Sequence, residues 1–289
     1  MSTSPDAPAG RIARSLLFVP GDRPDRFPKA MASGAHEVIL DLEDAVAPAA
    51  KGSARDAVAA WLAAGRRAVV RINAADTAWY EDDLAMLRPL SGAVLMLPKA
   101  EPGSAAQTAA ALAGRPIIAL LETARGFMAL QSLAAAAGVV RIAFGSVDFS
   151  ADTGVADEGE ALTAVRVQIV LASRNAGLAS PVDGVSVEFT DQERMRLEAL
   201  RSRQLGFGGK LCIHPRQVEA VHAAFRPTAA EVEWASRVLA AFEASRGSAT
   251  AVDGKMVDKP VVERARRIAA EAAGAQVPFA PRQHLQTRE

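Results

Sequence analysis

From Arg14 onward the chain repeats one unit eight times: a short apolar run, a polar or glycine-containing turn, then an amphipathic stretch. The apolar runs fall at 15–19, 38–42, 68–72, 93–97, 117–121, 139–144, 182–187 and 211–213. Each is apolar at consecutive rather than alternate positions, the pattern of a strand covered on both faces. The stretches at 25–33, 49–64, 79–88, 103–113, 126–136, 160–175, 191–203 and 215–225 are rich in alanine, leucine and charge, a composition that favours helix. Strands covered on both faces and alternating with helices predict a parallel sheet. Eight such units in ~225 residues suit a (β/α)₈ TIM barrel better than an open doubly wound sheet. No GxGxxG comes after the first run, which argues against a dinucleotide fold.

The ends lie outside this rhythm. Residues 1–13 read as a flexible arm and 14–227 as the barrel. Residues 228–289 read as an appended C-terminal helical segment, a lid or swapped arm. Within it a helix at 228–245 opens on a capping box, Thr228 with Glu231, and a connector at 246–259 leads to a second helix with Pro260 at its start. Half of the chain is hydrophobic, enough for a sizeable core. Its 33 basic and 33 acidic residues cancel, which argues against a dedicated nucleic-acid surface. A single cysteine excludes an internal disulfide. No apolar run approaches the ~20 residues of a membrane span, and no secretory leader is recognisable, so a cytoplasmic location is expected.

In a barrel of this kind chemistry sits where strands end. The residues just after the apolar runs are unusually polar: Pro20-Gly21-Asp22-Arg23, Asp41 with Glu43 and Asp44, Arg71 with Asn73, Pro98-Lys99, Glu122, Asp148, Glu188 and His214-Pro215. Glu122 and Asp148 come after successive runs, and neighbouring strands lie ~4.8 Å apart. The two carboxylates could therefore share one ion, with room left for substrate and water, as Mg²⁺ requires. The plainer alternative is that each acid merely begins a helix. Arg71 suits a clamp on a substrate carboxylate, or else an ion pair with a site acid. Asp41 or Glu43 could orient the metal's waters or hold Arg71, whereas Asp44 reads as a helix cap. Lys99 and Lys210 are candidates for a Schiff base in a metal-free aldolase, with salt bridges the favoured alternative. Arg23, Arg26 and Lys29 form a small basic cluster suited to an anionic substrate tail, or a solvated helix face. Gly206-Phe207-Gly208-Gly209-Lys210 lacks the spacing of a phosphate loop and leads into a strand. Cys212 reads as core, and His36, His222 and His284 have no supporting context.

The ordered blocks RSLLFVPGDRPDRFPKA, DLEDAVAP, VRIN, LPKAE, LLETARG, FGSVDFSAD, GKLCIHPRQ and GKMVDKP extend over nearly the whole chain. Together they resemble the citrate lyase β-subunit-like branch of the HpcH/HpaI aldolase family. The resemblance implies a (β/α)₈ barrel assembled as a homotrimer or hexamer, Mg²⁺ held by Glu122 and Asp148, and Arg71 as the substrate-clamping arginine; beside it Glu43 is a catalytic candidate and Glu122 a substrate contact. It also places Asp258, in GKMVDKP, in the active site of a neighbouring subunit. A CoA or acyl-carrier thioester would meet the first loop and the IHP loop, making Arg23, Arg26, Lys29 and Ile213 candidate contacts. The reaction implied is a reversible Claisen-type cleavage of a malyl-, citramalyl- or citryl-CoA to acetyl-CoA and an α-keto acid. Hydrolysis of the thioester, membership of a multi-enzyme citrate lyase and a non-catalytic binding barrel remain alternatives.

Overall fold

The computed structural model describes residues 13–157 and 159–273. The expected arm and the end of the C-terminal segment, with His284, lie outside these. Eight parallel strands close into a barrel in chain order: β1 (Ser15–Pro20), β2 (Glu37–Asp41), β3 (Ala68–Arg71), β4 (Ala93–Leu97), β5 (Ile117–Leu121), β6 (Val139–Phe144), β7 (Val182–Asp183) and β8 (Gly209–Cys212). Closure is made by β8 against β1, with Leu211 beside Leu16. Helices cover the outside, among them Lys51–Ala63, Tyr80–Leu87, Pro102–Ala111, Thr163–Asn175, Gln192–Leu205 and Gln217–Phe225.

Side chains alternate across each strand, and both faces here are apolar. Leu16, Ile39, Val69, Met96, Ile118, Leu120, Ala143, Val182 and Leu211 fill the barrel. Their neighbours Leu17, Leu40, Val70, Leu95, Leu97, Leu121 and Phe144 pack outward against the helices. This double burial is why the runs are apolar at every position. The same parity places the polar residues. Asp41, Arg71 and Glu122 lie two residues beyond Ile39, Val69 and Leu120, so they extend the inward-facing stack at the strands' C-terminal ends. At the opposite end Arg141, two residues before Ala143, donates from Nε to the Ser180 carbonyl (2.7 Å) and from Nη1 to that of Ala13 (2.9 Å). Burial pushes its guanidinium down to about 10.

Several boundaries differ from the sequence reading. The seventh strand is two residues long rather than reaching Val187. Asp183 is tied to Arg166, Ser202 and the Gly184 N–H, which turns the chain away from the sheet. The expected helix at 126–136 is two short helices, Ala124–Met128 and Leu130–Ala134, broken at Ala129. Asp44 caps nothing: Ala47 precedes the 3₁₀ turn Pro48–Ala50, and Asp44 is exposed. The connector at 246–259 contains an antiparallel hairpin, β9 (Thr250–Val252) with β10 (Lys255–Val257). Its turn residues Asp253 and Gly254 both have positive φ, the conformation Asp-Gly favours in a two-residue hairpin.

Helices Ala229–Ala244 and Lys259–Ala272 pack on each other and on β10 around Ala235, Val238, Val257, Val262, Ala265 and Ile268. The pair meets the barrel near the beginnings of its strands, where Arg203 binds Glu231 (3.0 Å) and Arg14 approaches Glu271 (3.6 Å). Asp258 is the N-cap of Lys259–Ala272, its Oδ1 accepting the Val261 N–H. Asp258→Ala is expected to loosen that helix by ~1 kcal/mol, whereas Asp258→Asn, an equally good cap, leaves it unchanged. Hydrogen exchange of the amides just after Asp258 reads the difference.

Candidate active site and metal centre

The site is built on β2, β3, β4 and β5. Asp41 ends β2 and accepts two parallel hydrogen bonds from Arg71, at the end of β3: Nε to Oδ1 at 2.7 Å and Nη2 to Oδ2 at 2.6 Å. The opposite nitrogen, Nη1, lies 2.9 Å from Glu43 Oε2. Arg71 thus carries two carboxylates while its face rests on the Phe18 ring, 4.7 Å from the centroid. Burial by itself would lower its basicity, but Asp41 and Glu43 outweigh that and raise it, so the guanidinium is permanently charged. A two-pronged grip on substrate through the Nε–Nη2 edge is excluded, because Asp41 holds that edge. The outward N–H groups of Nη1 and Nη2 are what Arg71 can still offer.

Lys51 fixes this arrangement from behind and was not singled out by sequence. Its ammonium is buried and donates at 2.7 Å to each of the Leu42 and Glu43 carbonyls and to Asn73 Oδ1. Asn73 in turn donates to Asp83, which also binds Arg55. The signal was available: a lysine at the start of an amphipathic helix, on its apolar side, requires buried acceptors. Asn73 is therefore a scaffold residue of the third loop.

Glu122 comes directly after β5 and is 2 % exposed. Its Oε1 accepts the Lys99 main-chain N–H at 2.7 Å. Its Oε2 is buried and without a hydrogen-bond partner. Burial, then repulsion from Glu43, with a contribution from Asp148, push the carboxyl up to about 8. Gly145 packs directly against it; an added Cβ there would lie 2.6 Å from Oε2. Asp148 is not at a strand end, as the sequence reading had it. It sits exposed in the first turn of the helix Ser146–Thr153, one turn beyond β6, yet close enough for its charge to act on Glu122. Asp152 of the same helix accepts the Ala124 N–H (2.7 Å) and so ties that helix to the loop after β5. Among the described residues no three His, Cys, Asp or Glu side chains converge on one point. Two carboxylates, one of them with an unsatisfied buried oxygen, fit a hard divalent cation that keeps water and substrate among its ligands.

The two lysines separate. Leu211 faces the barrel interior, so Lys210 points the other way, into the helix layer, where it binds the Gly184 carbonyl (2.7 Å). A Schiff base on Lys210 in the barrel mouth is thereby excluded. Lys99 is at the mouth, 3.0 Å from Glu43 Oε1. Burial would lower its ammonium, but Glu43 overcomes this and raises it, which keeps Lys99 protonated and poorly nucleophilic. It lines a cavity of about 620 Å³ together with Asp76, Thr123, Arg125 and Asp152. Arg23, Arg26 and Lys29 are exposed on the loop after β1, with Arg23 paired to Asp25. Ile213 is exposed, and His214 stacks on Phe189 at 4.8 Å. Glu188 is bound to Thr190 on an exposed loop and stands outside the acid cluster. Cys212 is buried in the outer core. Asp258 stays on its own helix, as its N-cap. No described helix is long and apolar enough to cross a membrane.

This arrangement has relatives. Residues 14–215 match the family model described as HpcH/HpaI aldolase/citrate lyase. The citrate lyase subunit beta-like protein of Mycobacterium tuberculosis is 42% identical over 266 residues, covering 90% of this chain and 95% of that one. The (3S)-malyl-CoA thioesterase of Cereibacter sphaeroides is 36% identical over 269 residues, covering 90% and 94%. The crystal structure of protein CitE from M. tuberculosis, in complex with magnesium, acetoacetate and coenzyme A, superposes with a TM-score of 0.82 at 38% identity, covering 92% of this chain and 99% of that one. The chain belongs to the HpcH/HpaI aldolase/citrate lyase family, as a CitE-like member.

Proposed function

We propose that the protein is a Mg²⁺-dependent carbon–carbon lyase. It would cleave a 3-hydroxy-dicarboxylate CoA thioester, of the malyl-, citramalyl- or citryl-CoA kind, to acetyl-CoA and an α-keto acid. The observation that carries this reading is the unpartnered Oε2 of Glu122, buried beside Asp148 at the mouth of the barrel. Magnesium bound to the CitE protein of M. tuberculosis supports the same ion here. Glu122 and Asp148 would hold it. When bound, Mg²⁺ supplies a Lewis acid for the hydroxyl and carboxylate oxygens of the substrate.

The chain's own residues then have separable tasks. Arg71, immobilised by Asp41 and Glu43, turns its outward N–H groups to a substrate carboxylate and fixes the reacting bond in register. Glu43 holds Arg71 and Lys99 together across the mouth. Cleavage would pass the hydroxyl proton to a base, send the electron pair of the breaking carbon–carbon bond to the thioester fragment and release the α-keto acid, leaving a thioester enolate whose carbon must be protonated. Asp258 of a neighbouring copy is the proposed donor, since its position in the single chain keeps it from the site. That role requires a homotrimer or hexamer. Arg23, Arg26 and Lys29 would meet the anionic portion of CoA, with Ile213 on the adjacent loop after β8.

A second reading is thioester hydrolysis. It is supported by the 36% identity to a (3S)-malyl-CoA thioesterase over nearly the whole chain. Both readings use the same cation, and the products separate them. Incubation with Mg²⁺ and each CoA thioester, then mass spectrometry, is expected to give acetyl-CoA with glyoxylate, pyruvate or oxaloacetate, abolished by EDTA. Free CoA with the intact hydroxy acid would establish hydrolysis instead. Turnover that survives EDTA would refute the metal-dependent mechanism.

The Glu122 carboxyl also gives a pH signature. Its folded value of about 8 exceeds the ordinary 4.5, so between these pH values the folded, metal-free protein holds a proton that the unfolded chain has released. Its contribution to stability is full below pH 4.5 and is lost as pH rises through 8. Metal-free wild type should therefore lose Tm relative to Glu122→Gln across this window. Saturating Mg²⁺ should restore the wild type and leave the variant unchanged.

A further inference from the structure

Lys99 has a left-handed backbone, φ +46°. The other described non-glycine residues with positive φ are Ala113 and Arg246, just beyond helix ends, and Asp253 in the hairpin turn, places where such a conformation simply closes a turn. Lys99 comes after β4 and Pro98 at the mouth of the barrel. A side-chain-bearing residue disfavours this region by roughly tenfold in population, so something nearby must hold it there.

Both ends of the residue are bound to site acids. The left-handed turn aims the Lys99 N–H at Glu122 Oε1 (2.7 Å), and the next residue, Ala100, donates to the Leu120 carbonyl of β5 (3.1 Å). The side chain folds across β3 to reach Glu43 Oε1 (3.0 Å). Gly145 blocks the other flank of Glu122. With Oε1 engaged and the carboxylate unable to swing away, Oε2 is the oxygen left to a ligand.

The geometry points to Lys99 as the positioning residue for the cation site. Its strained main chain orients Glu122 so that Oε2 is left without a hydrogen bond, and its ammonium, tied to Glu43, keeps the main chain in that conformation. This rests on the reading that Glu122 is a cation ligand, and it assigns Lys99 a role distinct from covalent chemistry. It also makes the Glu43 carboxylate a shared anchor, holding Arg71 on one oxygen and Lys99 on the other.

Two variants of the full-length protein test it by calorimetric titration with Mg²⁺. Lys99→Met removes the ammonium and retains the left-handed penalty. Lys99→Gly removes both, because glycine adopts the conformation freely. The Lys99 side chain is 44% exposed, so neither variant opens a cavity in the core, and metal-free circular dichroism checks folding. Lys99→Met should weaken Mg²⁺ binding by roughly five- to tenfold, while Lys99→Gly binds within about twofold of wild type. Equal weakening in both would overturn the proposal, since the ammonium itself would then matter. Undiminished binding by Lys99→Met would overturn it too, since the ion pair would then hold nothing. A wild type that binds no Mg²⁺ defeats the metal reading instead.

Discussion

Taking a carboxylate out of water without giving both oxygens a partner is among the costlier things a fold can do. At the mouth of this barrel Glu122 is in that condition, and most of the surrounding architecture serves to keep it there. The inward parity of β5 carries it past Leu120. Lys99 occupies one oxygen, and Gly145 packs so close to the other that a side chain at that position would collide with it. Around it stand Asp41, Glu43 and Asp148 against the cations Arg71 and Lys99, so the ionised cluster carries a net charge of minus two. A divalent cation neutralises it. Without one, burial first and repulsion from Glu43 second leave the Glu122 carboxyl raised.

The cations of the cluster are spoken for before any substrate arrives. Arg71 is bound by Asp41 and Glu43, and Lys99 by Glu43 and through its main chain to Glu122. Lys51, with three acceptors of its own, anchors the loop from which Glu43 projects. Such preorganisation means that substrate and metal meet groups already oriented, which is where an active site gains most from a rigid scaffold. It also limits what Arg71 can do, to contacts from its outward N–H groups.

Much of this was legible in the sequence. Strands apolar on both faces need cover on both, and eight of them alternating with helices suit a barrel, whose interior and helix layer supply it. The polar residues after those strands gave Arg71, Glu43, Glu122 and Lys99 without any structure, and counting by twos from Ile39, Val69 and Leu120 would have sorted the inward ones from the rest. Position along the chain misled for Asp148, which the first turn of a helix delivers to the site, and for Lys210, whose parity turns it outward. Lys51 and Asp152 escaped notice because their partners are mostly main-chain groups, which carry no residue signature, and the one side chain among them, Asn73, is 22 residues from Lys51. The Asp253-Gly254 hairpin was readable from its turn residues between TAV and KMV, but was absorbed into a connector. The role of Asp258 had no local signal at all: its spacing before Pro260 describes a helix cap, which it is, and any part in chemistry depends on a second copy of the chain.

A divalent cation is proposed to complete the open oxygen of Glu122. Crystals grown with Mn²⁺ in place of Mg²⁺ would test it most directly, by anomalous scattering from the metal. One peak is expected at the barrel mouth, in coordinating contact with Glu122 Oε2 and with Asp148, while Oε1 keeps its bond from Lys99. A Glu122 that stays unliganded while Mn²⁺ binds elsewhere, or not at all, would contradict it.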